Sequence, residues 1–221
     1  MKPNVYILKK GYFSGAKGSV LGEKAFVTST TVGLITYNDI QTQKEKMILI
    51  DTGVISDWEE IRENIKRYGN INNVSHVVIT HWDQDHIQNL KEFKRAIVVS
   101  GAGTNILGTN EFGHLFELFP DNTVGNQYIK FEVFGKSHSR DELILVVDSS
   151  NKGKVLFIGD FIASSPEILT PEMGIMLDTS FSIDPIRKYM MLKDIYNRYS
   201  EIDEIYCGHY GDPISSEDMK R

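Results

Sequence analysis

Short apolar runs, most of them four to eight residues long and closed by turn residues, set the pattern of the chain. Residues 24–37 are rich in β-branched side chains and predict a long strand or a hairpin. Residues 47–50 (MILI) predict a short strand that ends at Asp51-Thr52-Gly53, a turn signal. Ser56-Asp57-Trp58-Glu59-Glu60 reads as a helix start, with Ser56 as the capping residue and acidic side chains in the first turn. Trp58, Ile61, Ile65 and Tyr68 continue that helix at helical spacing, and Gly69 closes it. Residues 77–80 and 97–100 predict buried strands. Residues 101–127, rich in Gly, Asn and Phe, predict an irregular and partly helical flap. Residues 128–134, 143–147 and 155–158 predict three successive strands, with Asn151-Lys152-Gly153 turning between the last two. Residues 164–182 predict a second irregular region, residues 184–199 an amphipathic helix opening on Asp184-Pro185, and residues 202–207 a final strand. Strands alternating with helices place the chain in the α/β class. With no linker and no internal repeat, residues 1–221 read as one domain.

Bulk composition narrows the chemistry. At 221 residues and 41% hydrophobic, the chain is long enough to bury a core without a disulfide or a structural metal. The single cysteine, Cys207, excludes an intrachain disulfide and a thiolate-rich zinc site, and reads as a small buried apolar residue. A metal would have to be held by histidine and carboxylate. The net charge of −6 argues against duplex nucleic acid as the main partner. No apolar run approaches a membrane span, and the four-residue run near the N-terminus is too short for a signal-peptide core, so a cytoplasmic protein without membrane contact is expected.

Candidate ligands fall where predicted strands end. His81, Asp83, Asp85 and His86 follow one strand in the stretch THWDQDHIQNL. His138 lies in a loop between two strands, Asp160 follows 155–158, and His209 follows 202–207. In open α/β architectures functional groups gather at such ends. In an extended segment residues i and i+2 point the same way, so His81 and Asp83 can reach one metal. Asp85 and His86, adjacent at a turn, would face a second metal, and Asp160 is the natural carboxylate to bridge the two. Paired metals polarise a carbonyl or phosphoryl oxygen and activate water at neutral pH. Tyr210 is a candidate hydrogen-bond donor to a reacting oxygen. Asp51 reads as a partner that orients a ligand. His76 reads as a surface or boundary residue, and His114 as a solvated flap residue.

These residues resemble the metallo-β-lactamase superfamily, whose hallmark is His-x-His-x-Asp-His followed by a distant His, an Asp after a strand and a late His. The resemblance runs from about residue 22 to 213 and includes LIDTG (49–53), VVITH (77–81), IGD (158–160) and CGH (207–209). It implies a four-layered αββα sandwich with two divalent metal ions at one edge. His81, Asp83 and His138 would hold the first ion and Asp85, His86 and His209 the second, with Asp160 bridging. It also implies a hydrolase in which a metal-bound hydroxide attacks the substrate and Asp85 shuttles a proton. Asp83 departs from the family pattern, which usually has histidine there. A carboxylate hardens that position, so iron or manganese fits beside the expected zinc. Family branches with a carboxylate here include di-iron oxygen-binding proteins and a DNA-uptake group.

Three functions follow as expectations. The first is hydrolysis of a small ester, lactone or thioester, with Phe112, Leu115, Phe116 and Phe119 of the flap suited to an acyl chain. The second is a phosphodiesterase or nuclease acting on single-stranded RNA or DNA, motivated by Lys130, Lys136, Arg140, Lys152 and Lys154. The third is a di-iron oxygen-binding protein, motivated by Asp83. A homodimer is compatible with the apolar flap.

Overall fold

Two mixed β-sheets pack face to face in the computed structural model, which describes residues 1–14, 27–101, 103–106, 112–113, 121–133, 138–139, 141–162, 184–198 and 201–215. The first strands are β1 (Asn4–Lys9), β2 (Tyr12–Ser14), β3 (Val27–Ser29), β4 (Val32–Asn38) and β5 (Glu45–Ile50). Helix α1 (Trp58–Lys66), β6 (Val74–Ile79) and the short helix α2 (Gln84–Ile87) follow. Next come β7 (Ile97–Ser100), β8 (Gly103–Ile106), β9 (Phe112–Gly113), β10 (Thr123–Val124) and β11 (Asn126–Val133). The chain continues through β12 (Leu143–Ser149), β13 (Gly153–Gly159), helix α3 (Pro185–Arg198), β14 (Glu204–Cys207) and β15 (Ile214–Ser215). One sheet has the order β1-β4-β5-β6-β7-β8-β9 and the other β10-β11-β12-β13-β14-β15, while β2 and β3 pair separately. Within them β5, β6 and β7 run parallel, as do β13 and β14.

Why the central runs are continuously apolar becomes clear from their two faces. Side chains alternate across a strand, so an unbroken apolar run suits a strand buried on both sides. In β5, Ile48 and Ile50 enter the core between the sheets, while Met47 and Leu49 enter a second cluster with Ile61 and Ile65 of α1. In β13, Val155 and Phe157 point to the inter-sheet core, and Leu156 and Ile158 to a third cluster on the opposite outer face. Two outer apolar faces around one central core give the αββα layering. α1 covers the first outer face. Lys188 of α3 lies close enough to Cys207, in the third cluster, to act on its thiol, which burial pushes up.

Several sequence expectations shift in detail. Residues 24–37 are interrupted: β3 and β4 are separated at Thr30-Thr31, because Thr31 N–H donates to the Gly208 carbonyl at 2.7 Å instead of to a ladder partner. Ser56 does not cap α1, since it lies inside a 3-10 turn, Ile55–Asp57, that precedes the helix. The residue at the cap position is Asp57, whose carboxylate accepts from the Ser29 hydroxyl rather than from its own helix. Within 101–127, β8, β9 and β10 replace part of the expected irregular flap; the side chains of residues 102–120 lie outside the described residues, as do His114 and the region 164–182. β1 carries the short N-terminal run as an edge strand against β4.

Both sheets deliver their functional ends to the same edge of the sandwich. Asp51 follows β5, His81 follows β6, Asp160 follows β13 and His209 follows β14. Leu143 N–H donates to the Thr80 carbonyl at 2.8 Å and ties the two sheets together beneath that edge. Among the described residues, no helix is long and apolar enough to cross a membrane.

Candidate metal centre

The strand ends bring all seven expected ligands into one connected set. Three groups have ligand atoms within 4.8 Å of one another: His81, Asp83 and His138; His81, His86 and Asp160; and Asp85, His86 and His209. Asp83 is extended, so it shares a direction with His81, and their ligand atoms are 3.4 Å apart. His138 Nε2 lies 3.3 Å from the same Asp83 oxygen. Helix α2 turns Asp85 and His86 away from this triad, and His209 Nε2 comes to 3.4 Å from Asp85 Oδ2. Asp160 stands between the groups: Oδ2 is 2.9 Å from His209 Nε2 and 3.8 Å from both His81 and His138, and Oδ1 is 3.3 Å from His86 Nε2.

The orientation of each ring is fixed from behind. His86 Nδ1–H donates to Asp51 Oδ2 at 2.9 Å, and Asp51 is itself fixed by the Thr80 N–H and hydroxyl, both at 2.8 Å. Asp51 holds φ at +53°, a conformation rare outside glycine, which the surrounding hydrogen bonds sustain. His209 Nδ1–H donates to the Ser29 carbonyl at 3.1 Å. The backbone N–H of His138 donates to the buried Glu142 carboxylate at 3.0 Å. In each of His86 and His209 the donating Nδ1 leaves Nε2 as the ligand atom.

Two glycines permit the close packing around Asp160: Gly159 makes room for Thr80 and Gly208 for the Asp160 carboxylate. Gly159 has φ +54°, and a Cβ there would meet Thr80 Oγ1 at 2.7 Å. A Cβ at Gly208 would collide with Asp160 Oδ1.

The donor set fits a divalent metal. His81 Nε2, His86 Nε2 and Asp160 Oδ1 are buried with no hydrogen-bond partner among the described residues, a combination that is costly unless a ligand satisfies them. Spacings of 3.3 and 3.4 Å within the His81–Asp83–His138 group match the edge of a tetrahedron with bonds of about 2.0–2.1 Å. Charges are coupled in the same sense. The imidazoles of His138 and His81 hold the Asp83 carboxyl well below the usual carboxylate range. Burial alone would raise Asp160, but His86 and His209 outweigh it and keep the carboxylate ionised. Burial likewise opposes a charged His86, yet Asp51 and Asp160 raise its pKa. His209 is raised in the same way, with Asp160 overcoming burial. The centre thus attracts positive charge, supplied by protons or by metal.

Other expected residues fall elsewhere. Tyr210, next to His209, packs partly buried against the outer apolar cluster with Val146. Lys152 and Lys154 sit at the start of β13, about 20 Å of strand away from Asp160. They pair with Glu204 at 2.9 Å and Glu201 at 3.4 Å. Lys136 and Arg140 lie outside the described residues. His76 is half-buried at the opposite edge, and burial brings its pKa down to about 4. Ser29, Thr80 and Glu142, which reading the sequence did not single out, hydrogen-bond to candidate ligands or to the groups that hold them. Only Thr80, beside His81, carried a local signal.

Comparison with known proteins agrees with this geometry. The family model of the metallo-beta-lactamase superfamily matches residues 27–134, which include His81, Asp83, Asp85 and His86. No curated protein matches the sequence significantly. Among solved structures, a candidate metallo-beta-lactamase from Thermotoga maritima shares 18% identity and a TM-score of 0.66, over 97% of this chain and 100% of the other. A candidate metal-dependent hydrolase from Staphylococcus aureus shares 14% identity and a TM-score of 0.63, over 98% and 94%. A dizinc quorum-quenching lactonase, solved with a product N-hexanoyl-L-homoserine, shares 15% identity and a TM-score of 0.52, over 83% and 74%. The superfamily's family model thus matches residues 27–134, and the fold of these solved structures is shared over nearly the whole chain.

Proposed function

We propose that the protein is a metal-dependent hydrolase with a dinuclear centre that acts on a small ester, lactone or thioester. The observation that carries this reading is the convergence of His81 Nε2, His86 Nε2 and Asp160 Oδ1, three buried ligand atoms without hydrogen-bond partners. His81, Asp83 and His138 would hold one ion and Asp85, His86 and His209 the other, with Asp160 shared between them. Four imidazoles in the set favour zinc, and the likeness to a dizinc lactonase supports it. Two such ions would supply Lewis acidity at a substrate carbonyl and lower the pKa of water. The chain's own residues would do the rest. Asp51 and the Ser29 carbonyl hold His86 and His209 in the tautomer that presents Nε2. Asp85, 18% exposed and 3.4 Å from His209 Nε2, is placed to carry a proton between the centre and the leaving group. Asp83 is 56% exposed, and the neighbouring Trp82 is 40% exposed, so the substrate would approach over this side of the centre.

The substrate class draws support from the lactonase likeness; among the described residues, Lys152 and Lys154 are distant from the centre and paired with acidic side chains. A panel of lactones, aryl esters and thioesters assayed with and without zinc tests the reading. Turnover that vanishes with chelator and returns with zinc is expected; no metal-dependent turnover on any member would contradict it. Asp83 keeps iron in view as an alternative metal. A colourless, zinc-loaded protein after aerobic purification would count against a di-iron oxygen-binding role.

A further inference from the structure

Ser29 stands 180 residues from His209 in the sequence, at the fully buried end of β3, and its carbonyl is the acceptor for His209 Nδ1–H. Its hydroxyl donates to Asp57 Oδ2. Two residues further on, the Thr31 N–H donates to the Gly208 carbonyl at 2.7 Å and the Thr31 hydroxyl to the Cys207 carbonyl at 2.8 Å. The peptide that carries the Ser29 carbonyl is therefore gripped on both flanks, by Asp57 on one side and by the segment preceding His209 on the other. Asp57 is 8% exposed, gives α1 no side-chain cap, and has Ser29 as its side-chain hydrogen-bond partner among the described residues. A carboxylate buried to that degree is unfavourable unless it is satisfied.

We propose that Asp57 is a positioning residue for His209. Through the Ser29 hydroxyl it fixes the direction of the Ser29 carbonyl, which holds His209 as the Nδ1–H tautomer with Nε2 turned to Asp85 and Asp160. The inference rests on the reading of Asp85, His86 and His209 as a metal site. His86 is backed by a carboxylate directly, at 2.9 Å from Asp51. His209 receives its carboxylate support one hydrogen bond removed. Partners of this kind are worth roughly 10–100-fold in metal affinity.

The test is zinc titration against a chromophoric chelator, with the histidine ¹⁵N shifts of the zinc-loaded protein read in parallel. Ser29→Ala keeps the carbonyl and keeps Asp57 at the start of α1, but cuts the link between them. It is expected to weaken one of the two zinc equivalents at least roughly tenfold, leave the other unchanged, and perturb the His209 Nδ1–H resonance. Asp57→Ala should do the same, and Asp57→Asn, whose amide oxygen still accepts from Ser29, should restore most of the affinity. If Asp57→Ala does not fold, Ser29→Ala decides. Both zinc equivalents bound at unaltered affinity in Ser29→Ala, even with a lowered melting temperature, would overturn the proposal. Fewer than two zinc ions on the unaltered protein would instead overturn the two-metal reading, and the proposal with it.

Discussion

The two halves of the centre are built differently. The half formed by His81, Asp83 and His138 opens to solvent through Asp83, which is 56% exposed, while His81 is fully buried and His138 13% exposed. The half formed by Asp85, His86 and His209 is enclosed, with His86 fully buried and His209 6% exposed. The enclosed half has an ordered polar layer behind each imidazole: Asp51 and Thr80 behind His86, and Ser29 and Asp57 behind His209. In the open half His81 Nδ1 lies 3.3 Å from the Thr80 hydroxyl, and the His138 backbone N–H donates to Glu142. This half also carries Asp83, at the position where the resembled pattern usually has histidine. A buried ligand with a carboxylate behind it is rigid and basic, whereas an exposed carboxylate ligand is mobile and hard. The enclosed half should therefore hold its ion tightly, and the open half should exchange it and choose it less strictly.

Asp160, shared by both halves, is where the contrast breaks most completely. Asp160→Ala should abolish tight binding at both positions and lower kcat/KM by on the order of 10³-fold or more, read by elemental analysis and steady-state kinetics. Retention of one tight ion would show that the halves are independent. Asp51→Asn should sharpen the contrast. It keeps the size of the side chain but removes the charge behind His86, and should weaken the enclosed ion by roughly 10–100-fold with little effect on the open one. Equal weakening of both in chelator titrations would mean that Asp51 serves the whole centre. Asp83→His acts on the open half alone. It should shift that position from manganese or iron toward zinc by roughly tenfold, about 1.4 kcal/mol, in metal-competition measurements.

The smallest effect lies at the far edge of the sandwich and serves as a control. The pKa of His76 is about 4 in the fold against 6.5 for the ordinary side chain, because burial disfavours its charged form. The unfolded chain thus binds more protons between these values. Stability from keeping His76 neutral is fully present above about pH 6.5 and is lost as pH falls toward 4, by roughly 2–3 kcal/mol. His76→Gln should flatten the denaturation profile of the metal-free protein in that window without changing zinc affinity.

Legibility from the sequence followed physical range. The seven candidate ligands were readable because each follows an apolar run whose end a strand must occupy, and all seven meet in space. The continuous runs at 47–50 and 155–158 pointed to strands buried on both faces, as they are. Asp51 was readable as a supporting residue through its place after a strand. What was not readable depends on contacts across great chain distance. Ser29 reaches His209 over 180 residues and Asp57 over 28, and neither pairing leaves a local pattern. The break at Thr30-Thr31 has the same origin, since the Gly208 carbonyl that draws Thr31 out of the ladder comes from the other sheet. Ser56 looked like a cap because local propensity favours it, but burial of the turn before α1 gave the cap position to Asp57 and turned its carboxylate toward β3.

The central claim is that these residues form a dinuclear metal centre, and elemental analysis of protein purified without added metal tests it most directly. About two divalent ions per chain, zinc foremost, with the less tightly held ion removed first on dialysis against a weak chelator, is the result expected here. Protein that carries no stoichiometric divalent metal, and takes up none when zinc, manganese or iron is supplied, would contradict it.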